Sequence, residues 1–259
     1  MTKNLMQYTV ATNFDCSLID FINEHDLSHQ IKSVYGKLPS DILGGGRPTL
    51  TSPKITLTDL KEYVQLCNQS NLSFNYLLNG LCTGAHEIMP ETHHQLIKLI
   101  DQLCNIGVSS ITVASPYLCE LIKSQFQTLS VSTSLFSYPH HLQDIQYWVN
   151  LGADEITLPH HFNRNFAALK QVLMHYKNIP VKFRLIANNS CLHFCPYALN
   201  HACNLSHQSQ TSDTDQILNI DYNLLKCKST QISTPAALLA SEWIRPEDIH
   251  YYTELCEET

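Results

Sequence analysis

Over residues 5–187 the chain switches at least six times between short apolar, β-rich runs and amphipathic stretches with helical spacing. This alternation constrains the fold most, because strands separated by helices in this way are parallel strands joined by right-handed crossovers. Strands are predicted over residues 5–11, 33–38, 72–78, 110–114, 129–133, 155–158 and 181–187. Helices are predicted over residues 16–25, 56–67, 90–106, 115–125, 142–150 and 163–177. Thr56 or Thr58 is placed to cap one helix, and Gly107 and Gly152 to stop two others. Seven strand–helix units in a chain of 259 residues point to a TIM-type (β/α)8-like barrel, with a doubly wound sheet as the alternative. No linker or low-complexity run interrupts the pattern. One structural domain is expected: a barrel core over residues 1–190 and a cysteine-rich extension over 191–259 packed on it.

A hydrophobic content of 44% supplies a sizeable core, and a charged content of only 15% excludes a disordered chain. The formal charge is −7 and no basic face is visible, which counts against a nucleic acid partner. A small-molecule or peptide substrate, or a partner protein, fits better. No signal peptide or membrane span is read, so the expected location is cytoplasmic.

In a barrel the chemistry lies at the C-terminal strand ends. Those ends are unusually polar here: Asn13, Asn79, Ser115 with Tyr117, Ser132 with Ser134, His160 with His161 and Arg164, and Asn188 with Asn189. Each alone reads as loop polarity, and Ser115 and Asn163 read best as helix caps. Together they describe a neutral, hydrogen-bonding pocket with one or two cations. Asn79, Tyr117, Ser132, Arg164 and Asn188 are its candidate substrate contacts, and His160 or His161 its candidate proton-transfer group. The run Asp41-Ile-Leu-Gly-Gly-Gly-Arg-Pro is neither a P-loop nor a Rossmann fingerprint. It is either a plain loop or an anion-binding loop with Arg47 as the cation.

Ten cysteines in a reducing compartment need an account other than disulfides. Cys16, Cys67, Cys104 and Cys119 fall in helix-like segments and read as small core residues. Cys82, in a loop after a strand, and Cys256, near the end of the chain, stay unassigned. Cys191, Cys195 and Cys203 differ: they crowd one stretch at a strand end, and Cys227 follows. Thiols this close can converge on one metal, and thiolates select zinc or an iron–sulfur cluster. Cys227 is the expected fourth ligand, favoured by flanking lysines, with Cys82 as its rival.

The chain resembles the collagenase-like peptidase U32 family. The resemblance is carried by Leu129-Ser-Val-Ser-Thr-Ser, by Gly152-Ala-Asp-Glu-Ile-Thr-Leu-Pro, by Leu185-Ile-Ala-Asn-Asn-Ser-Cys-Leu-His-Phe-Cys-Pro-Tyr and by Trp243-Ile-Arg-Pro-Glu-Asp-Ile. It implies a TIM-type barrel and, as in several members, a [4Fe–4S] cluster used in oxygen-independent hydroxylation, here on Cys191, Cys195, Cys203 and Cys227. It also implies a homologous protein partner, as in the heterodimeric members, where the chain serves as a cluster-bearing subunit. Peptidase activity, from which the family is named, is the alternative. Two features depart from the pattern. The cysteine spacing differs from that of the RNA-modifying members. The sequence also stops soon after Ile-Arg-Pro-Glu-Asp, so a closing strand is missing or supplied otherwise.

Overall fold

A computed structural model describes residues 6–47, 49, 52–189, 191–210 and 221–259. Seven strands form one sheet: β1 (Tyr8–Ala11), β2 (Ile31–Gly36), β3 (Ser73–Leu78), β4 (Ser110–Val113), β5 (Ser130–Thr133), β6 (Glu155–Thr157) and β7 (Lys182–Arg184). All neighbours are parallel and their order in space is their order in the chain. Sequential order excludes the doubly wound alternative, whose strand order reverses about a switch point. Six helices cross over between the strands: α1 (Ser17–Glu24), α2 (Leu57–Gln69), α3 (Pro90–Asn105), α4 (Pro116–Gln125), α5 (Leu142–Asn150) and α6 (Phe166–His175).

Local chemistry explains the helix ends. Thr56, not Thr58, caps α2 in a capping box: its side chain accepts from Asp59 N at 3.2 Å and Asp59 Oδ2 accepts from Thr56 N at 2.7 Å. Proline opens α3 and α4 where its missing N–H costs nothing. Gly107 and Gly152 follow α3 and α5 with φ of +95° and +90°, a left-handed turn that favours glycine. Two expected caps are corrected. The Ser115 side chain makes no cap bond at α4, and α6 starts later than predicted, capped by Asn165 and preceded by a 3₁₀ turn, His160–Phe162. Strand β7 is also shorter than the apolar run 181–187, and Leu5, the predicted start of β1, lies outside the described residues.

The two faces of the sheet differ in chemistry. Val34, Phe74, Ile111, Val131 and Ile156 are fully buried in the core beneath the helices. Leu60, Tyr63, Val64 and Cys67 of α2 and Leu96, Ile100 and Leu103 of α3 meet that core at helical spacing. The opposite face is polar. Thr9 and Ser33 share a hydrogen bond of 2.9 Å, Thr112 donates to Asn75 at 2.7 Å, and Ser132 donates to Glu155 at 3.2 Å. Most TIM barrels fill this interior with branched apolar side chains.

The edge strands β1 and β7 share no ladder. The sheet still curls far enough for Arg184 on β7 to reach Thr9 on β1 at 3.4 Å while pairing with Glu155 at 2.5 Å. The barrel is therefore incomplete, seven-stranded, and bridged across its gap by a side chain. The expected closing strand is replaced in part by the C-terminal segment: Ile244 N donates to Ala187 O at 2.8 Å, just beyond β7.

After β7 come α7 (Ala198–Gln208), α8 (Tyr222–Ser233), a short α9 (Ala236–Leu239) and α10 (Ile249–Glu258). Asn163 anchors them. Its amide donates to Ile186 O at 2.9 Å and to Glu242 O at 2.7 Å, and its carbonyl accepts from the Tyr252 hydroxyl. Among the described residues no helix is long and apolar enough to cross a membrane.

Candidate functional site

The mouth of the barrel is assembled from the loops that follow the strands and from α7. On the β1–β3 side, Lys37 and Asp41 form an ion pair of 3.1 Å with almost no solvent exposure. Asp41 also accepts from the Tyr76 hydroxyl at 2.9 Å and from Gly44 N at 2.8 Å. Burial, and then Asp41, hold the Tyr76 phenol well above its ordinary pKa.

The glycine run is a close-packing device. At Gly44, φ is +67° and a Cβ would stand 2.1 Å from Ser206 O of α7. Gly45 N donates to Ser209 Oγ at 2.8 Å, and a Cβ at Gly46 would strike Phe136 at 2.7 Å. The amides of Gly44 and Gly45 are thus spent on Asp41 and Ser209. Arg47, next in the chain, is different. It donates to Thr12 O at 2.8 Å and lies 5.5 Å from the Tyr35 ring centroid. Burial lowers its pKa, and among the described residues no carboxylate forms an ion pair with it. Asn79, at the end of β3, donates to Ser134 Oγ at 3.3 Å, and its Oδ1 is buried without a partner.

On the β5–β7 side the mouth is aromatic. Tyr138 sits in a left-handed conformation, φ 43° and ψ 54°, and stacks on His140 with ring centroids 5.9 Å apart. His140 stacks on His161 at 5.2 Å. His160 is half-buried with Nδ1 unpartnered, and desolvation, then His161, pushes its pKa down to about 4. His161 is also lowered, by burial and then by His140 and His141. Both histidines are therefore neutral near pH 7.

Other predicted contacts lie elsewhere. Ser132 is inside the barrel, on Glu155. Tyr117 is exposed on α4, its hydroxyl 3.4 Å from His93 Nδ1. Arg164 is exposed and donates to Trp243 O at 3.2 Å, so it holds the C-terminal segment. Asn188 is exposed, while Asn189 Oδ1 accepts from Cys191 N at 3.0 Å.

The cysteines separate by environment. Cys67 and Cys119 are buried in the core, and desolvation pushes both thiols up to about 12, which makes them inert. Cys16 does not join the core; it is exposed ahead of α1, and Cys104 is half-buried. Cys191 and Cys195 lie on the turn after β7, Cys203 on α7 and Cys227 on α8. The cysteine stretch thus contains the start of a helix. Desolvation of the sulfur raises the Cys191 thiol, although the residue as a whole is exposed, and the thiols of Cys195 and Cys227 raise it further. Cys227 is raised by burial and by Cys195, with Lys228 opposing. Lys226 instead lies over the Tyr222 ring, so only one flanking lysine favours the thiolate. The Tyr138 phenol is raised by burial and then by Cys191, Cys203 and Cys195.

The donor set suits a thiolate-bound metal in residue type. Among the described residues no three His, Cys, Asp or Glu side chains stand in a metal-binding arrangement. A contact of His193 Nδ1 with Glu242 Oε1 at 3.1 Å fixes the turn, and one of His201 Nε2 with Asp221 Oδ2 at 3.5 Å ties α7 to the start of α8. An apolar cleft of about 450 Å³ opens beside the turn, lined by Leu192, His193, Pro196, Tyr197, Thr230 and two alanines.

Sequence reasoning did not find Tyr138, His140 or the Glu155–Arg184 pair. The period-2 polar pattern of Ser130-Val-Ser-Thr, Glu155-Ile-Thr and Lys182-Phe-Arg carried the signal for the pair.

Comparison with known proteins gives a consistent frame. The family model described as peptidase family U32 matches residues 48–220. An uncharacterized protease of Methanocaldococcus jannaschii is 29% identical over 225 residues, which cover 86% of this chain and 64% of that protein. The chain thus spans less than two thirds of this curated relative. The solved structure of the U32 peptidase Mk0906 superposes with a TM-score of 0.67 at 19% identity, covering 87% of this chain and 86% of that one, a likeness of fold.

Proposed function

The chain belongs to peptidase family U32, and we propose that within it the chain is an iron–sulfur protein, hydroxylase-like and oxygen-independent, acting on a small molecule or peptide at the barrel mouth. One observation supports this reading: the four cysteines sit on the turn after β7 and on two helices, α7 and α8, which His201 and Asp221 tie together at 3.5 Å. Cys191, Cys195, Cys203 and Cys227 would hold a [4Fe–4S] cluster, which when bound supplies one-electron chemistry; zinc fits the same donors.

The chain's own residues account for binding. Arg47 is a half-buried cation without a carboxylate partner, and a guanidinium fork suits an anionic substrate group. The unpartnered Asn79 Oδ1 accepts a hydrogen bond from the same substrate. His160, neutral and with a free Nδ1, is suited to accept a proton at that atom.

The peptidase alternative rests on the family's name and on that of the archaeal relative. It needs a nucleophile activated by a base. The candidate histidines offer less support for it, since His160 Nδ1 is unpartnered and His161 is stacked on His140. A homologous partner subunit is part of the proposal on the strength of the family resemblance.

The test is purification without oxygen. The expected protein is brown, with a broad visible band and about four irons per chain. Stoichiometric zinc with no iron after anaerobic reconstitution contradicts the cluster.

A further inference from the structure

The loop between β5 and α5 is held in a conformation that its own sequence disfavours. Tyr138 has φ 43° and ψ 54°, the left-handed region that a bulky side chain seldom adopts. It also precedes Pro139, and a proline ring pushes the residue before it toward extended backbone. Such a conformation persists only where its surroundings over-determine it. Here the surroundings are a stack of three rings. Tyr138 and His140 lie 11° from parallel with centroids 5.9 Å apart, and His140 and His161 lie 11° from parallel at 5.2 Å. His161 belongs to the 3₁₀ turn after β6, so the stack ties one loop of the mouth to the next.

The charges around the stack are lopsided. His141 lies 6.4 Å from His140, and His160 adjoins His161 in the chain. The carboxylate that meets the loop is Asp144 of α5, whose Oδ2 accepts from the backbone N–H of His140 and of His141 at 3.0 Å each. On the far side, the thiols of Cys191, Cys203 and Cys195 act on Tyr138. Arg164, past the turn, is spent on Trp243 O. One imidazolium is tolerated, balanced by Asp144 and by the face of the Tyr138 ring. Two imidazoliums stacked at 5.2 Å repel. His140 is exposed, so protons reach it. A cleft of about 310 Å³ beside it, where α6 contributes only the uncharged Ala168, Gln171 and Val172, gives the ring room to swing out.

We propose that the Tyr138–His140–His161 stack is a proton-operated latch: it holds the β5–α5 loop against the turn after β6 while at most one imidazole is charged, and releases it when both are. The His161 shift has the matching sign. Burial, then His140 and His141, place its pKa below the ordinary 6.5. The closed loop therefore favours neutral His161, and the latch is complete above pH 6.5 and lost as pH falls below it. The inference stands apart from the thiolate site and adds a pH gate to the mouth beside His160.

The test is amide hydrogen exchange of the full chain at about pH 7.5 and about pH 5, corrected for the intrinsic pH dependence of exchange, with β3 and β4 as reference. His160, with a pKa of about 4, stays mostly neutral at both. Ser137 N and Tyr138 N, which donate to Ser134 O and Leu135 O in the closed loop, should exchange at least about tenfold faster at the lower pH. His140→Phe supplies a flat ring that stacks without taking a proton, and should abolish the change. His161→Phe removes the other charge and should do the same, which keeps the test decisive where one variant loses the loop at neutral pH. Equal protection at both pH values in the unaltered chain overturns the inference. So does a full acid response in the folded variants.

Discussion

From β1 to β7 the helices bury continuous apolar faces, whereas α8 and α9 after β7 leave theirs open. Leu60, Ile100, Leu103 and Ile122 in the barrel helices have no exposure. After residue 190, Phe194 and Ile232 are 79% exposed and Leu239 is 71% exposed. In α8 the buried residues are polar, Asn223 and Gln231. The barrel is held by area removed from water, at roughly 25 cal/mol per Å². The extension is anchored in the core by Ile244 and by Tyr252 and Leu255 of α10, and its other parts are held by specific bonds: Asn163 to Glu242, Leu81 to Ser206, Gly45 to Ser209 and His193 to Glu242. A region with so little apolar burial is the part whose order a bound metal most changes. The contrast makes the barrel the more rigid of the two regions.

The largest expected effect is in the core. Phe74 is fully buried, with ring centroids 6.1 Å from Phe14 and 6.3 Å from Tyr63. Phe74→Ala should cost about 3–5 kcal/mol in denaturant unfolding, from lost transfer energy and the cavity left behind. A loss below about 1 kcal/mol would mean that the core is not the source of stability.

A smaller effect separates the two sides of the mouth. His160 has a folded pKa of about 4 against an ordinary 6.5, so the unfolded chain binds more protons between those values. The stabilisation is complete above pH 6.5 and is lost as pH falls toward 4. Discounted for partial exposure, it amounts to about 1–2 kcal/mol. His160→Gln should flatten the stability profile across this window; an unchanged slope would place the titration elsewhere.

The smallest effect is predicted for the open face of the extension. Leu225 is 57% exposed, and Leu225→Ala should shift stability by no more than about 0.5 kcal/mol. A loss of about 2 kcal/mol would show that α8 is packed after all, and would erase the contrast between the two regions.

The barrel was legible because its signal is periodic. The strand runs and helix faces alternate, and glycine and proline punctuate them as at Gly107, Gly152, Pro90 and Pro116. The site was legible only where residue type carries the chemistry. The cysteines stand out by type, but no local rule could dock the β3–α3 loop onto α7, since Ser206 and Gln210 bond Leu81 and Cys82 from 125 and 128 residues away. Helix α8 was missed because it has no apolar face for periodicity to detect. The glycine run looked like a ligand loop, yet Gly44 answers to a helix carbonyl, a long-range steric demand invisible in sequence. Arg184 was missed because its partners lie on β6 and β1, at opposite ends of the sheet order.

The central claim, that the barrel is a preformed platform and the extension gains its order at a thiolate metal site, is tested most directly by amide hydrogen exchange of the full chain, stripped of metal and anaerobically reconstituted. The account predicts that reconstitution slows exchange in the 191–203 segment, in α7 and α8 and in the β3–α3 loop, by about tenfold or more, while β2 to β5 exchange equally slowly in both states. Equal exchange of the extension in both states, in protein shown to have bound metal, would contradict it.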